Sequence, residues 1–433
     1  MDSIHPHPNE NLQRLMNKQE ALWGTVLLLS TLVLGGMFLD SPLFFRLLIG
    51  LGLGYALSRA ALGFAGSVNR AFRAGSTRLM RTLMIMFCLT ALTSTAFLYQ
   101  QDPTRMNLWI NPINIGLIVG GLMFGFGMSI ASCCASGVLT YFSSNLTRPA
   151  LTLLFFGMGV FLGFPLQAQQ SWIRDSWIST PTYEGHGVFM PDLFAGDPLN
   201  GYLGAMLLTL CLAALVSWLA LRYERYRRDR GTYIGIASEQ EQLSAPSSDL
   251  AQHRLFSQET YETLFVKRWS PVTGAAVIAI LFTLLMGVTG AGWGASSPFG
   301  FWFGRLLIAL SLMDPAQVAA FTHRPEQVFT MPFFNHPVNV QNIGIMLGAM
   351  IALLLAGRFW SGLSRLRLSG REALLLMVAG LSMGLGTRLA NGCNVGALFT
   401  PIANFSLSGW IFLVVMVLGG ILGNQLQHKL QNA

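Results

Sequence analysis

Apolar residues along this chain come in long unbroken runs rather than in the short alternating blocks of a soluble core. Stretches of about 18 to 22 residues, enough to cross a bilayer as helices, fall at 22–39, 42–66, 77–98, 112–131, 148–168, 200–221, 270–290, 340–357, 371–390 and 408–426. The pattern predicts an all-α polytopic membrane protein with about ten transmembrane helices. A further apolar piece, 298–312, is too short to span and reads as a re-entrant helix, which lipid tolerates only where protein buries it.

The polar positions divide the remainder. Residues 1–20 form a hydrophilic tail, 21–221 a first membrane half, 222–268 a polar linker, 269–427 a second membrane half and 428–433 a short tail. The first apolar run ends at Asp40 without a small-residue cleavage site, so it reads as a retained helix rather than a signal peptide. With the N-terminus in the cytoplasm, Arg70, Arg73, Arg78 and Arg81, the cluster Arg222, Arg225, Arg227, Arg228 and Arg230, and Arg358, Arg365, Arg367 and Arg371 all lie inside. The opposite loops hold Arg105, Arg174 and Arg324 among seven acidic residues, as the positive-inside rule demands. Both termini are expected in the cytoplasm.

Composition agrees: 52% of the 433 residues are apolar and 11% charged, against about 25% charged in an average soluble protein. The 46 glycines sit inside apolar runs and point to close helix packing. The net charge of +8 marks orientation in the bilayer, and no nucleic-acid partner is expected. The five cysteines show neither CxxC nor zinc spacing, and no GxxxxGK[ST] loop is present. No cofactor is expected.

The chain repeats itself. Shifted by 259 positions, GLMFGFGMSIASCCASGVL (121–139) aligns with GLSMGLGTRLANGCNVGAL (380–398), with identities that include Gly125/Gly384, Gly127/Gly386, Cys134/Cys393 and Gly137/Gly396. The predicted topology runs the first copy outside to inside and the second inside to outside, which makes two inverted pseudo-symmetric halves. Transporters built this way bind substrate near the midplane, where broken helices meet. Gly137 and Gly396, three residues beyond each cysteine, and the polar Ser132, Asn391 and Asn394 fit such a break and would expose backbone N–H groups there.

The chemistry at the break is specific. A thiol tolerates an apolar passage and suits a sulfur-bearing ligand. Arg388, five residues before Cys393, is a costly intramembrane charge and hence a functional candidate. Apart from Glu372 at the very start of the 371–390 run, no Asp or Glu lies within a predicted span, so an anion finds counter-charge at the centre where a cation does not. Cys88 and Cys211, alone in apolar helices, read as inert; Arg59 and Arg305, near span ends, are expected to snorkel.

At these motifs the sequence resembles the YeeE/YedE family of membrane transporters for thiosulfate and related sulfur or selenium species. GLGTRLANGCNVGALFTPIANFSLSGW (384–410), GGLMFGFGMSIASCCASG (120–137), SRAALGFAGSVNRAFRAGSTRLMR (58–81) and HPVNVQNIGIMLGAM (336–350) carry the resemblance. It implies a pseudo-two-fold helical protein, narrow at its centre, in which cysteines hold thiosulfate by weak S–H···S contacts and pass it inward. On that basis Cys134 and Cys393 are relay thiols, with Cys133 beside them as an additional thiol. The family's third cysteine, placed at the side where substrate enters, falls on Gly63 here. The resemblance makes the chain a transporter rather than an enzyme, with the lipid bilayer around it and a cytoplasmic sulfur-handling protein as a possible partner. The rival readings are a soft-metal transporter using thiolates for copper or zinc, and a membrane sulfurtransferase or disulfide oxidoreductase with a nucleophilic cysteine.

Overall fold

The computed structural model describes residues 8–134, 137, 139–140, 147–236, 239, 242, 258–362 and 368–432. Its long helices are α1 (Pro8–Phe38), α2 (Ser41–Arg59), α3 (Phe64–Ala74), α4 (Arg78–Leu98), α5 (Ile115–Ala131), α6 (Thr147–Gln169), α7 (Tyr202–Asp229), α8 (Pro271–Thr289), α9 (Ser297–Ala309), α10 (Pro315–Thr322), α11 (Pro337–Leu355), α12 (Gly370–Leu389) and α13 (Leu407–Asn432). Among the described residues nine helices are long and apolar enough to cross a bilayer. The 17-residue α5 is shorter, and with it every one of the ten predicted stretches is a helix. Side chains such as Leu29, Leu207, Ile280 and Val414 are exposed, as a surface bathed in hydrocarbon requires. This is an all-α polytopic membrane protein.

The packing has a two-fold pattern. Helix α2 packs on α11 and α8 on α4; α5 packs on α13 and α12 on α6; α1 packs on α11 and α7 on α4; α3 touches α13 and α9 touches α6. Exchanging α1–α6 with α7, α8, α9, α11, α12 and α13 in order maps this set of pairs onto itself. The pair α5 and α12 lies across the exchange and maps to itself.

Glycines set the helix directions. A Cβ at Gly121 would meet Val415 and one at Gly125 the Met416 carbonyl oxygen, at 2.4 and 2.0 Å, so α5 and α13 run parallel in contact. Their repeat counterparts behave alike: Gly380 approaches Thr152 and Gly384 approaches Phe156, so α12 and α6 are also parallel. Between α5 and α12, Gly120 faces Gly386 and Ala390 whereas Gly127 faces Ala379 and Met383, an antiparallel crossing. Parallel pairs between halves and an antiparallel pair at the axis are what inverted repeats produce. The glycine-on-backbone approach supplies the dispersion contact that lipid, as apolar as leucine, cannot supply by hydrophobic exclusion.

Both copies of the repeated motif break at one position. Helix α5 ends on Ser132 at φ +57°, and α12 is followed by Asn391 at φ +58°, 259 residues later. A left-handed residue turns the chain out of the helix, and the short polar Asn bears it at low cost. Gly392 is fixed by space, because a Cβ there would lie 2.5 Å from the Gly396 carbonyl carbon.

Two arginines depart from expectation. Arg59 is buried and donates to the Lys267 carbonyl, pinning the start of α8 to the end of α2. Arg305 donates to the Val328 carbonyl at 3.1 Å and also to that of Met331. Both satisfy loop carbonyls instead of snorkelling. The arginine cluster read as the start of the linker largely continues α7, whose helix extends to Asp229.

Candidate functional site

Cys393 follows the break in α12 and caps a π-helical turn, Asn394–Phe399. The turn leaves its first amides without helical partners, and although the Cys393 side chain accepts no capping hydrogen bond, the amides of Val395 and Gly396 and the Ser296 hydroxyl lie near it. Cys393 and Cys134 are 1% and 2% exposed, lie in one apolar cluster and are close enough to interact electrostatically. Gly137 sits beside the Cys134 thiol, where an added Cβ would lie 3.5 Å from the sulfur. Cys133 is buried next to it. The two repeats thus bring their cysteines together at the centre of the fold.

Arg388 is buried on the last turn of α12. Its Nη1 donates to Ser297 Oγ at 3.1 Å and its Nη2 to Ser296 Oγ at 3.0 Å. The Ser296 hydroxyl also lies near Cys393, so guanidinium and thiol approach the same serine. Gly163 makes the room: a Cβ there would fall 2.6 Å from both Cβ and Cγ of Arg388.

Arg324 joins from the loop after α10. Its Nη2 donates to Gln167 Oε1 at 2.8 Å, and Gln167 Nε2 donates to Asn391 Oδ1 at 2.6 Å. Burial pushes the Arg324 guanidinium down from its ordinary pKa. Both arginines lie over the Phe164 ring. They line an open cavity of about 460 Å³, together with Trp109, Asn111, Tyr183, His186 and Ser297, and no lining residue is a carboxylate. Neither arginine has an ion-pair partner among the described residues. Such a pair of partly desolvated cations is poised for a small anion.

The remaining predicted residues fall around this centre. Asn394 is fully buried, donates to Met128 Sδ at 3.1 Å and leaves its Oδ1 without a partner. Asn111 Nδ2 donates to the Gly396 carbonyl at 3.2 Å. Gly63 caps α3 on the side of Arg59 and Lys267; the ring of its neighbour Phe64 lies 6.4 Å from that of Phe399 in the turn after Cys393, whereas Arg388 is at the far end of α12. The helix that leads to it, α2, runs parallel to α11, and the two finish at the same end. A Cβ at Gly63 would meet nothing within 4 Å. Cys211 is exposed on α7 and Cys88 half-buried on α4, both apart from the centre.

The sequence reading missed Ser296, Ser297, Arg324, Gln167 and Trp109. One signal for the serines was present: GAGWGASSPFG (290–300) opens the apolar piece too short to span. Arg324 looked like an ordinary outer-loop charge.

Interlocked inverted repeats of membrane-spanning helices, broken near the centre, are an architecture shared with membrane transporters. A family model described as sulphur transport matches residues 59–422, and the chain belongs to that family. It is 26% identical to the thiosulfate transporter TsuA of Spirochaeta thermophila over 86% of this chain and 95% of that protein. Escherichia coli TsuA is 22% identical over 86% of this chain and 91% of its own length. The probable transporter YedE of Escherichia coli is 27% identical across 38% of this chain and 40% of its own.

Proposed function

We propose that the chain takes up thiosulfate, or a closely related sulfur-containing anion, across the bacterial inner membrane. The observation that carries this reading is the Ser296 hydroxyl held between Arg388 and Cys393 at the edge of a carboxylate-free cavity. An anion attracted by Arg324 and Arg388 has its negative oxygens met by guanidinium and its sulfur presented to a thiol. Cys393 receives it first and Cys134 second, with Cys133 as a further thiol. Asn391, Asn394, Gly137 and Gly396 shape the passage. Relatives named as thiosulfate transporters support the substrate class.

Orientation follows from charge. With the arginine-rich ends of α3, α4 and α7 in the cytoplasm, both termini are cytoplasmic, the arginine-lined cavity faces outward, and Gly63 lies on the departure side. The two halves divide between Gln169 and Tyr202, since α7 takes the role of α1; the 222–268 segment is then a cytoplasmic excursion inside the second half. The membrane potential opposes an entering dianion by about 2.3 kcal/mol per charge per 100 mV. Consumption in the cytoplasm, by a sulfur-handling protein received at this excursion, offsets that opposition.

The test is uptake of sulfur-labelled thiosulfate into proteoliposomes containing wild type, Cys393→Ala or Cys134→Ala, with copper(I) uptake measured in parallel. Thiosulfate entry that both substitutions abolish is expected. Undiminished entry in Cys393→Ala would sink the relay, and copper entry without thiosulfate entry would favour a soft-metal transporter.

A further inference from the structure

The floor between the arginine-lined cavity and Cys393 is an indole. Trp109 lines the cavity on one side. Its ring rests on Gly294 and Gly396, where an added Cβ would lie 2.3 Å from ring carbons in each case. Those glycines flank the thiol's surroundings: Gly294 is two residues before Ser296, and Gly396 lies in the turn that Cys393 caps. The ring therefore covers the approach from the two arginines to a thiol that is itself 1% exposed.

Trp109 is held there by its neighbours rather than by its own preference. Its φ is +59°, a region that bulky side chains rarely adopt and that persists only where surrounding structure imposes it. The 107–111 segment is tied down on both sides. Asn107 N donates to the Gly290 carbonyl at 2.8 Å and its carbonyl accepts from Gly292 N at 3.4 Å; Asn404 Nδ2 donates to the Leu108 carbonyl at 3.1 Å; Asn111 reaches the Gly396 carbonyl. The segment is thus strapped across the two loops of the second half that carry Ser296 and Cys393. A strained aromatic, seated on glycines and fastened at its flanks, is out of place as simple filler on a cavity wall.

We propose that Trp109 is the outer selectivity barrier of the transport path, a ring that an anion drawn in by Arg324 and Arg388 must pass before it meets Cys393. This rests on the transport reading for its meaning. Its geometry, a covered thiol, can be tested without transport.

The experiment compares the rate at which Cys393 is modified by a membrane-impermeant, sulfonate-bearing methanethiosulfonate applied from the outer side of reconstituted protein, with the modified cysteine assigned by mass spectrometry. Trp109→Ala is expected to speed modification of Cys393 by at least about tenfold, and Trp109→Phe to stay within about threefold of wild type. Gly294→Ala, whose methyl would displace the ring without removing it, is expected to speed modification as well and serves if Trp109→Ala does not fold. Equal rates in wild type and in whichever of these two variants folds would overturn the proposal. Because the reagent reports access alone, loss of thiosulfate uptake with an unchanged barrier result would count against the transport reading and not against Trp109.

Discussion

Arg324 and Arg388 rest on the same phenyl ring, that of Phe164, with their guanidinium carbons 4.9 and 5.4 Å from its centroid. Two like charges sharing one apolar surface repel, and the ring's negative face offsets only part of that. An anion entering between them would relieve the arrangement. Arg388→Gln is expected to reduce thiosulfate uptake by at least about tenfold, chiefly through a higher KM. Arg324→Gln, acting on the more exposed partner, should cost less. Initial-rate uptake over a range of thiosulfate concentrations separates the two; an unchanged KM in Arg388→Gln would remove it from the binding step.

Gly63 leaves open space where a thiol would project. Its backbone is extended at φ −148°, so a side chain brings no strain. Gly63→Cys should fold normally, within about 0.5 kcal/mol of wild type as surface-like changes do, and should accelerate release of substrate on the linker side. Thermal unfolding checks the first expectation and single-turnover uptake the second. A variant that unfolds would show the space to be filled in the membrane.

The helix contacts predict the opposite outcome at Gly125 and Gly384. Either changed to Ala would press a methyl onto a carbonyl oxygen of the parallel helix, at 2.0 and 2.3 Å before relaxation. Overpacking of this kind costs about 1–3 kcal/mol. Detergent-solubilised Gly125→Ala and Gly384→Ala should both unfold at lower temperature than wild type, and similar losses would reflect their equivalent places. Gly287, with nothing within 4 Å, supplies the control.

Cys211 is exposed on the outer face of α7. Cys211→Ala should leave uptake within about twofold of wild type, and a complete loss would mean that the path runs elsewhere.

The fold was legible because lipid imposes a single rule on long apolar runs, and because a cysteine in a repeated glycine pattern marks equivalent breaks. Ser132 and Asn391 were identified beside the breaks for their polarity, and both carry the left-handed turn. The short 298–312 run is the 13-residue α9. The site was only half legible. Arg388 and Cys393 share one motif, whereas Arg324, Gln167 and Ser296 come from three other segments and meet only through tertiary packing. Hydropathy carries no trace of such convergence.

The interlocking of the halves also governs how the chain is made. Helix α2 finds its partner in α11, and α5 finds one in α13, a helix synthesised long after it. Until α13 leaves the ribosome, the Gly121–Gly125 face of α5 has only lipid or an insertion factor against it. The first half therefore waits in the membrane as an incomplete set of helices, and the centre that holds Cys134 beside Cys393 closes in one late step.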